Sequence, residues 1–362
     1  MMAPGTLPNL GAGAGSPARL GGVLPIMPTN PQGRTYALNP LMGSLQSMFD
    51  TDRRLAIVAN VGPLVTPTTK EQYALTSHPR PARLFSHNDQ QVTWQTMQPE
   101  GAVRGWGGRM ADAVAAANTQ AVFTAISASG SAVWLSGQNV RQYLVSGSGA
   151  PRLGGDATGA VYNSAKVGST LASIVSSAQG GHVLEADVAD VAQRSIAAER
   201  ILSAKLPPGT PPTDPALQFI DPLTGKAEFN AVAQQMQMVA RLVQAGMSGG
   251  IGVRRQVFFV SLGGFDTHSG QNQSHAVLMA RVAHAMRYFD TALGAYGARN
   301  AVTTFTASDF GRTFTSNGDG TDHGWGAHHF VMGGAVRGGD LFGNFPALAL
   351  KNTNNNNFDG SP

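Results

Sequence analysis

The fold prediction starts from Gln256-Val-Phe-Phe-Val-Ser-Leu262, which is followed by a periodic segment over 276–296 and by Ala301-Val-Thr-Thr-Phe-Thr306. Short runs rich in β-branched and aromatic residues predict strands, and the amphipathic segment between them predicts a helix. A long helix between two strands favours a right-handed parallel crossover. We therefore expect these two strands to be parallel neighbours in one sheet.

The same alternation of strands and helices extends towards the N-terminus. Leu55-Ala-Ile-Val-Ala-Asn-Val61 is a continuous apolar run, which is typical of a strand buried on both faces. The alternation predicts an α/β fold with a mostly parallel sheet and helices on both faces. The expected organisation is an irregular segment over 1–34, one α/β domain over 35–350 with a mainly helical insertion over 140–250, and a disordered tail over 351–362.

Weaker patterns complete the prediction of secondary structure. Predicted helices cover 40–49, 106–117, 162–177, 183–204 and 227–245, predicted strands cover 121–126, 132–135, 140–145 and 330–332, and 66–101 is expected to be irregular.

Composition argues against several functional classes. The 362 residues carry a net charge of only +4 without a dense Lys/Arg block, so nucleic acid is not an expected partner. The absence of cysteine excludes disulfides, thiolate metal sites and a cysteine nucleophile. No apolar run is long enough for a membrane span, and the N-terminus lacks the pattern of a signal peptide. The oligomeric state stays open.

Oxygen and nitrogen donors cluster after the predicted strands. Gly263-Gly-Phe-Asp-Thr-His268 follows the first strand, Ser308-Asp309 follows the second, and Asp322-His323 and His328-His329 come soon after. Because ligands bind at the carboxyl ends of parallel strands, these side chains are expected to share one pocket. Carboxylates and imidazoles suit Zn, Mn, Mg or Ca, and the pattern points to metal-assisted hydrolysis. The candidate metal ligands are Asp266, His268, Asp309, Asp322, His323 and His328.

Other side chains are candidates for catalysis and for substrate binding. Arg312 offers a guanidinium that can hold an oxyanion in a bidentate manner. His87 and Asp89 are candidate substrate contacts, because their segment could line the same cleft. His268 is either a ligand or a base beside the metal. Each motif alone is also compatible with an ordinary turn or helix cap, so the hypothesis depends on their convergence.

Five motifs resemble the bacterial family catalogued as domain of unknown function 1501. They are Leu55–Pro63, Leu84–Gln91, Gly263–His268, Phe305–Thr313 and Asp322–His329, and the resemblance covers nearly the whole chain. It implies a sulfatase-like fold related to the alkaline phosphatase superfamily. It also implies bound divalent cations, hydrolysis of a small phosphate or sulfate ester, and twin-arginine export to the periplasm or beyond.

The resemblance also assigns roles to individual residues. It implies that Asp266 and His268 form one metal-binding pair. Asp309 corresponds to the superfamily's aspartate at the end of a later strand. His323 or His328 corresponds to its final histidine ligand.

The chain departs from the family pattern at three places. Phe310 stands where the superfamily often has histidine, and the strand ending in Gly-Gly-Asn-Asp, expected before residue 20 and close to the nucleophile, is not seen. The family's region beyond Pro346 is also not seen, and the two explanations left open are a fragment and a gene model with a wrong start. These departures favour an alternative, an exported binding or assembly protein without turnover. A metal-free structural protein is a third possibility.

Overall fold

A computed structural model describes residues 20–152, 159–177 and 182–346. The helices are α1 (Gly43–Asp50), α2 (Lys70–Ala74), α3 (His87–Thr96), α4 (Trp106–Val114), α5 (Ala165–Val175), α6 (Val183–Lys205), α7 (Ala231–Met247) and α8 (Gln271–Ala295). The strands are β1 (Leu24–Ile26), β2 (Tyr36–Leu38), β3 (Leu55–Val61), β4 (Ala125–Ser127), β5 (Tyr143–Leu144), β6 (Gln218–Ile220), β7 (Ala227–Phe229), β8 (Val257–Phe259), β9 (Thr304–Phe305), β10 (Gly311–Ser316), β11 (Thr321–Gly324), β12 (Ala327–Met332) and β13 (Leu341–Phe342). The predicted disordered tail, 351–362, lies outside the described residues.

The described residues form two compact units. The first unit contains the described residues of Met1–Trp106, Thr210–Met236 and Ser261–Pro362. The second unit contains the described residues of Gly107–Gly209 and Gln237–Val260. The second unit overlaps the range that was predicted as a helical insertion. The single-domain organisation over 35–350 stays a prediction.

A four-stranded mixed sheet organises the first unit, in the order β13-β3-β12-β9. β12 runs antiparallel to both β3 and β9, and β13 runs parallel to β3. β3 is central, and its residues Leu55, Ala56 and Ile57 are all buried. Burial of consecutive residues means that both faces of the strand are covered, as its unbroken apolar run predicted.

The long helix α8 and the short helix α1 supply much of the remaining core of this unit. Buried residues of α8 include Met286, Phe289 and Leu293, whose spacing of three and four residues places them on one side of the helix. The two helices contact each other, and α1 also contacts β3. Amphipathic periodicity therefore explains why this segment is helical and which side it buries.

The second unit contains a three-stranded parallel sheet, in the order β5-β4-β8. Its hydrophobic core combines residues of the sheet region with residues of α6 and α7, including Phe123, Ile126, Leu202, Met238 and Leu242. The parallel component of the α/β fold is thus present, but it is small.

The prediction of one mostly parallel sheet is wrong. The protein is α/β, but its described strands form several small sheets, and three of these are two-stranded antiparallel sheets, β1-β2, β6-β7 and β10-β11. β8 pairs with β4, whereas β9 pairs with β12, so the two strands expected to be parallel neighbours belong to different sheets. The hairpin β10-β11 lies between β9 and β12 in the chain, and β12 pairs antiparallel with β9.

Several local predictions also need correction. Residues 66–101 were expected to be irregular but contain α2 and α3. The buried residues of α3 are polar (Asp89, Gln90 and Thr96), so the helix has no apolar stripe to reveal it. Residues 121–123 and 133–135 are 3₁₀ turns rather than strands. Residues 227–229 form β7 rather than the start of a helix.

Among the helices of the described segments, none combines the length and the apolar character that a membrane span requires.

We predict that Ile57→Ala destabilises the protein by about 2–5 kcal/mol, because it removes methyl groups from a fully packed site. Ile57 is 1% exposed and pairs with Phe330 on β12 and with Leu341 on β13. Urea denaturation at neutral pH measures the loss. Ile220→Ala is the matched control, since Ile220 is 62% exposed on β6, and it should change stability by less than about 0.5 kcal/mol. Equal losses for the two variants would contradict the central position of β3.

Candidate metal centre

The carboxylate of Asp266 is the centre of a cluster of basic side chains. Its Oδ1 lies 2.8 Å from His323 Nε2, 2.9 Å from His268 Nε2 and 2.8 Å from Arg312 Nη2. Its Oδ2 lies 3.2 Å from His87 Nε2. All five residues belong to the first unit. The predicted convergence of distant donors therefore holds for Asp266, His268 and His323.

Glycine allows the segments that carry these side chains to approach each other. Asp266 and His268 lie in the loop after β8, where Gly264 has a φ of +98°, a conformation that favours glycine. At Gly320, in the turn of the hairpin β10-β11, a Cβ atom would lie 2.4 Å from the backbone of His268. Only glycine permits this contact between the loop and the hairpin that carries His323.

The partners of His323 determine its tautomer. Its Nδ1 lies 2.9 Å from the carbonyl oxygen of Phe85, which can only accept, so Nδ1 carries the proton. In the neutral ring the lone pair is then on Nε2, which points at Asp266. Phe85 holds its carbonyl in place with a φ of +78°, a strained conformation for a residue with a side chain. The strained backbone at Phe85 thus positions the carbonyl group that orients the imidazole of His323.

His268 is oriented in the same way by a carboxylate. Its Nδ1 lies 3.2 Å from Asp322 Oδ1, so the Nδ1–H donates to Asp322 and Nε2 is left with the lone pair. This Nε2 is only 3.1 Å from His323 Nε2. The Nε2 lone pairs of His268 and His323 and a carboxylate oxygen of Asp266 thus point into the same small space. This arrangement is stable only with a proton or a cation between these atoms.

Arg312 helps to keep Asp266 ionised, and few of its N–H groups remain for a substrate. Desolvation raises the pKa of Asp266, but this effect is outweighed by His323 and His268 in their protonated forms and by the guanidinium of Arg312, and together they lower the pKa to about 2. Arg312 makes four hydrogen bonds, two to Phe265 O, one to Thr321 O and one to Asp266. A guanidinium has five N–H groups, so at most one remains for an oxyanion.

An aromatic ring closes one side of the cluster. Phe310 stacks on His323 with ring centroids 3.9 Å apart and planes at 12°, and it meets the ring of His87 edge-on at 5.1 Å. The guanidinium of Arg312 lies 5.3 Å from the centre of the same ring. Phe310 therefore fixes the position of His323 and fills space next to it with carbon.

Three predicted ligands lie outside this group. Asp322 contacts His268 Nδ1 rather than the carboxylate of Asp266. Asp309 Oδ2 accepts a hydrogen bond from Gln91 Nε2 at 2.9 Å, and burial raises the pKa of its carboxyl. Because α3 carries both Gln91 and His87, Asp309 still lies beside the centre. Asp309 follows β9, which is shorter than the predicted strand and ends at Phe305.

His328 has a structural contact instead of a place in the cluster. Its Nδ1 accepts the N–H of Asn60 at 3.0 Å, which leaves the proton of the neutral ring on Nε2. Asn60 has a φ of +59° and lies where β3 bulges opposite β12, so the imidazole satisfies a backbone group that the ladder leaves unpaired. The ring of His328 also stacks on Phe345 at 4.3 Å. His328 offers no lone pair to a cation in this arrangement.

Asp89 is not placed for the substrate contact that was predicted. It is 3% exposed, and its carboxylate lies 3.9 Å from Arg83 Nη1. His87, at the start of α3, does reach the cluster, where its imidazole is a further basic group beside Asp266. A signal for this helix exists in the sequence, because Ser86 is followed three residues later by an acidic residue, a common pattern at helix starts.

The donor set fits a divalent cation. Ligand atoms of His87, Asp266 and His323 lie within 4.8 Å of one another. Atoms that bind zinc at about 2.0–2.1 Å in tetrahedral geometry stand about 3.3 Å apart, close to the contacts of this cluster. A histidine that donates its other N–H to a carbonyl or a carboxylate is also the usual arrangement around a metal, and His323 and His268 both have it.

The fold and the cluster define an α/β protein with a candidate metal centre of histidine and aspartate. Residues 32–358 match the family model described as Protein of unknown function (DUF1501). The chain belongs to this family, as its motifs predicted. Comparison with curated proteins and with solved structures gave no match.

Buried histidines near the site predict a loss of stability in acid. Burial lowers the pKa of His329 to about 4, that of His275 to about 4 and that of His328 to about 3. The unfolded chain binds protons on these groups near pH 6.5, so it gains protons before the native state does. Stability should be fully present above about pH 6.5 and fall as the pH drops towards 4.

His329→Gln tests this pH dependence. His329 is 7% exposed, and glutamine cannot take up a proton. Between pH 6.5 and 4, the variant's slope of stability against pH should be lower by up to about 1.4 kcal/mol per pH unit. Urea denaturation with chelator present measures both slopes. An unchanged slope would show that His329 titrates normally in the native state.

Proposed function

We propose that the chain is a metal-dependent hydrolase of small phosphate or sulfate esters. The proposal combines the candidate centre with the family resemblance, which implies sulfatase-like chemistry and a relationship to the alkaline phosphatase superfamily. The same resemblance leads us to propose export to the periplasm or beyond.

One observation carries the proposal. The Nε2 lone pairs of His268 and His323 and the carboxylate of Asp266 converge within 3.1 Å of one another, while Phe85 O and Asp322 hold the opposite ring nitrogens. Without a cation, these groups need a proton on at least one Nε2, and protons on both would place two positively charged rings beside each other. A divalent cation satisfies all three groups at once.

The residues divide into holding and positioning roles. Asp266, His323 and His87 would hold the cation, with His268 as a further ligand or as the group that accepts a proton from the attacking oxygen. Asp322 would keep His268 in the tautomer that can accept this proton. When bound, the cation would act as a Lewis acid that polarises an ester oxygen.

A second candidate function is a binding or assembly protein with a site that does not turn over. The engagement of Arg312 favours it, because four of the N–H groups that could clamp an anion are bound within the protein. Phe310 favours it as well, since its ring occupies space beside His323.

We predict that Zn, Mn, Mg or Ca, added singly after treatment with chelator, raises the melting temperature of the wild-type protein for at least one of these ions. A ligand at one hundred times its Kd adds about 2.7 kcal/mol to stability. Asp266→Asn and His323→Gln should abolish the rise, because each removes a donor from the centre. His78→Gln is the control, since His78 contacts Thr66 and Thr68 instead.

Turnover separates the two candidates. Wild-type protein loaded with the stabilising ion is assayed with 4-nitrophenyl phosphate and 4-nitrophenyl sulfate. Hydrolysis that Asp266→Asn abolishes supports the enzyme, and metal binding without hydrolysis supports the binding protein. Failure of every ion to raise the melting temperature would reject both.

A further inference from the structure

The N-terminal half of α6 presents a stripe of apolar side chains to solvent. Leu184, Val188 and Val191 are 70%, 65% and 47% exposed. They are separated by four and three residues, so they lie on one side of the helix. Single exposed aliphatic residues are ordinary, but this spacing is that of a contact between two helices.

The stripe continues into the core of the second unit. Ser195, Ala198 and Leu202 extend the same spacing, and Ala198 and Leu202 are buried in the hydrophobic core. α5 contacts α6, and Ala189, outside the stripe, is also buried. The helix is therefore anchored, and its exposed stripe has a defined position.

The charges beside the stripe select one kind of partner. With Val188 at heptad position a and Val191 at position d, Asp187 and Arg194 both occupy position g. In an antiparallel pair of helices the g positions of the two copies face each other. A second copy of α6 would then place Asp187 opposite Arg194 twice, once on each side of a two-fold axis.

A parallel pair lacks this complementarity. In that arrangement position g faces position e, so Asp187 would meet Ala192 and Arg194 would meet Glu199. Glu199 is already bound by Arg152, whose Nε lies 2.7 Å from its carboxylate.

We propose that α6 pairs with α6 of a second copy of this chain, antiparallel, with Val188 of each copy packed against Val191 of the other. Few apolar side chains would be buried in this contact, so it is smaller than a typical stable interface, which buries about 1,600 Å². The dimer is therefore weak and dissociates on dilution. This inference does not depend on the proposed metal centre.

Charge reversal tests the pairing in the full chain by sedimentation velocity over a range of concentrations. Asp187→Arg and Arg194→Asp should each weaken dimerisation by about tenfold, because two attractive contacts become repulsive. The double variant D187R/R194D should restore the wild-type value. A wild-type chain that stays monomeric, or a double variant as weak as the single ones, would overturn the proposal.

Cross-linking tests the direction of pairing, since the chain has no cysteine of its own. Val188→Cys mixed with Val191→Cys should form a disulfide between copies faster than either variant does alone. Faster cross-linking of Val188→Cys with itself would show a parallel pair and overturn the antiparallel arrangement.

Discussion

The carboxylate of Asp266 is the contact on which the candidate site depends. It connects the loop after β8 with His87 at the start of α3, with Arg312 on β10 and with His323 on β11. These segments are far apart in sequence and belong to different secondary-structure elements. Without this negative charge, the imidazoles and the guanidinium would face one another without a counter-charge. The low pKa of Asp266 shows that its surroundings favour the ionised form.

The backbone around this carboxylate departs from ordinary local preferences. Phe85 has a positive φ, and Gly320 lies too close to His268 for any other residue. Such strain costs of order 1–3 kcal/mol at a residue with a side chain, and it persists where the surrounding structure requires it. At Phe85 the strained carbonyl fixes the tautomer of His323. Two of the departures from local preference in the described residues therefore lie at the candidate site.

Some of this structure could be predicted from the sequence, and the physical reasons differ between elements. β3 and α8 show strong periodicity because their burial is decided by apolar side chains along a single element. The convergence of Asp266, His268 and His323 was predicted from a parallel pairing of β8 with β9, and the donors meet although that pairing is absent. α3 has no apolar stripe, because its buried residues are polar, so only the pattern at its start indicates a helix.

Local sequence patterns could not predict which strands pair or which histidines join the candidate site. β9 pairs with β12, and the hairpin β10-β11 between them in the chain contains the candidate site residues Arg312, Asp322 and His323. His328 and His323 belong to the same motif, yet a β-bulge some 270 residues away along the chain, at Asn60, engages the lone pair of His328. A sequence motif identifies residues capable of a chemistry, whereas hydrogen bonds from distant segments decide which nitrogen is available.

The arrangement of lone pairs also links the candidate site to acidity. Protons and a divalent cation compete for the Nε2 atoms of His268 and His323, because a metal binds only the unprotonated nitrogen. Asp322 and Phe85 O already hold the Nδ1 protons, so each ring has one site left, and it is directed at Asp266. A divalent cation bound here would hold both imidazoles and the carboxylate of Asp266 without a proton on either Nε2, in the arrangement that the strained backbone at Phe85 maintains.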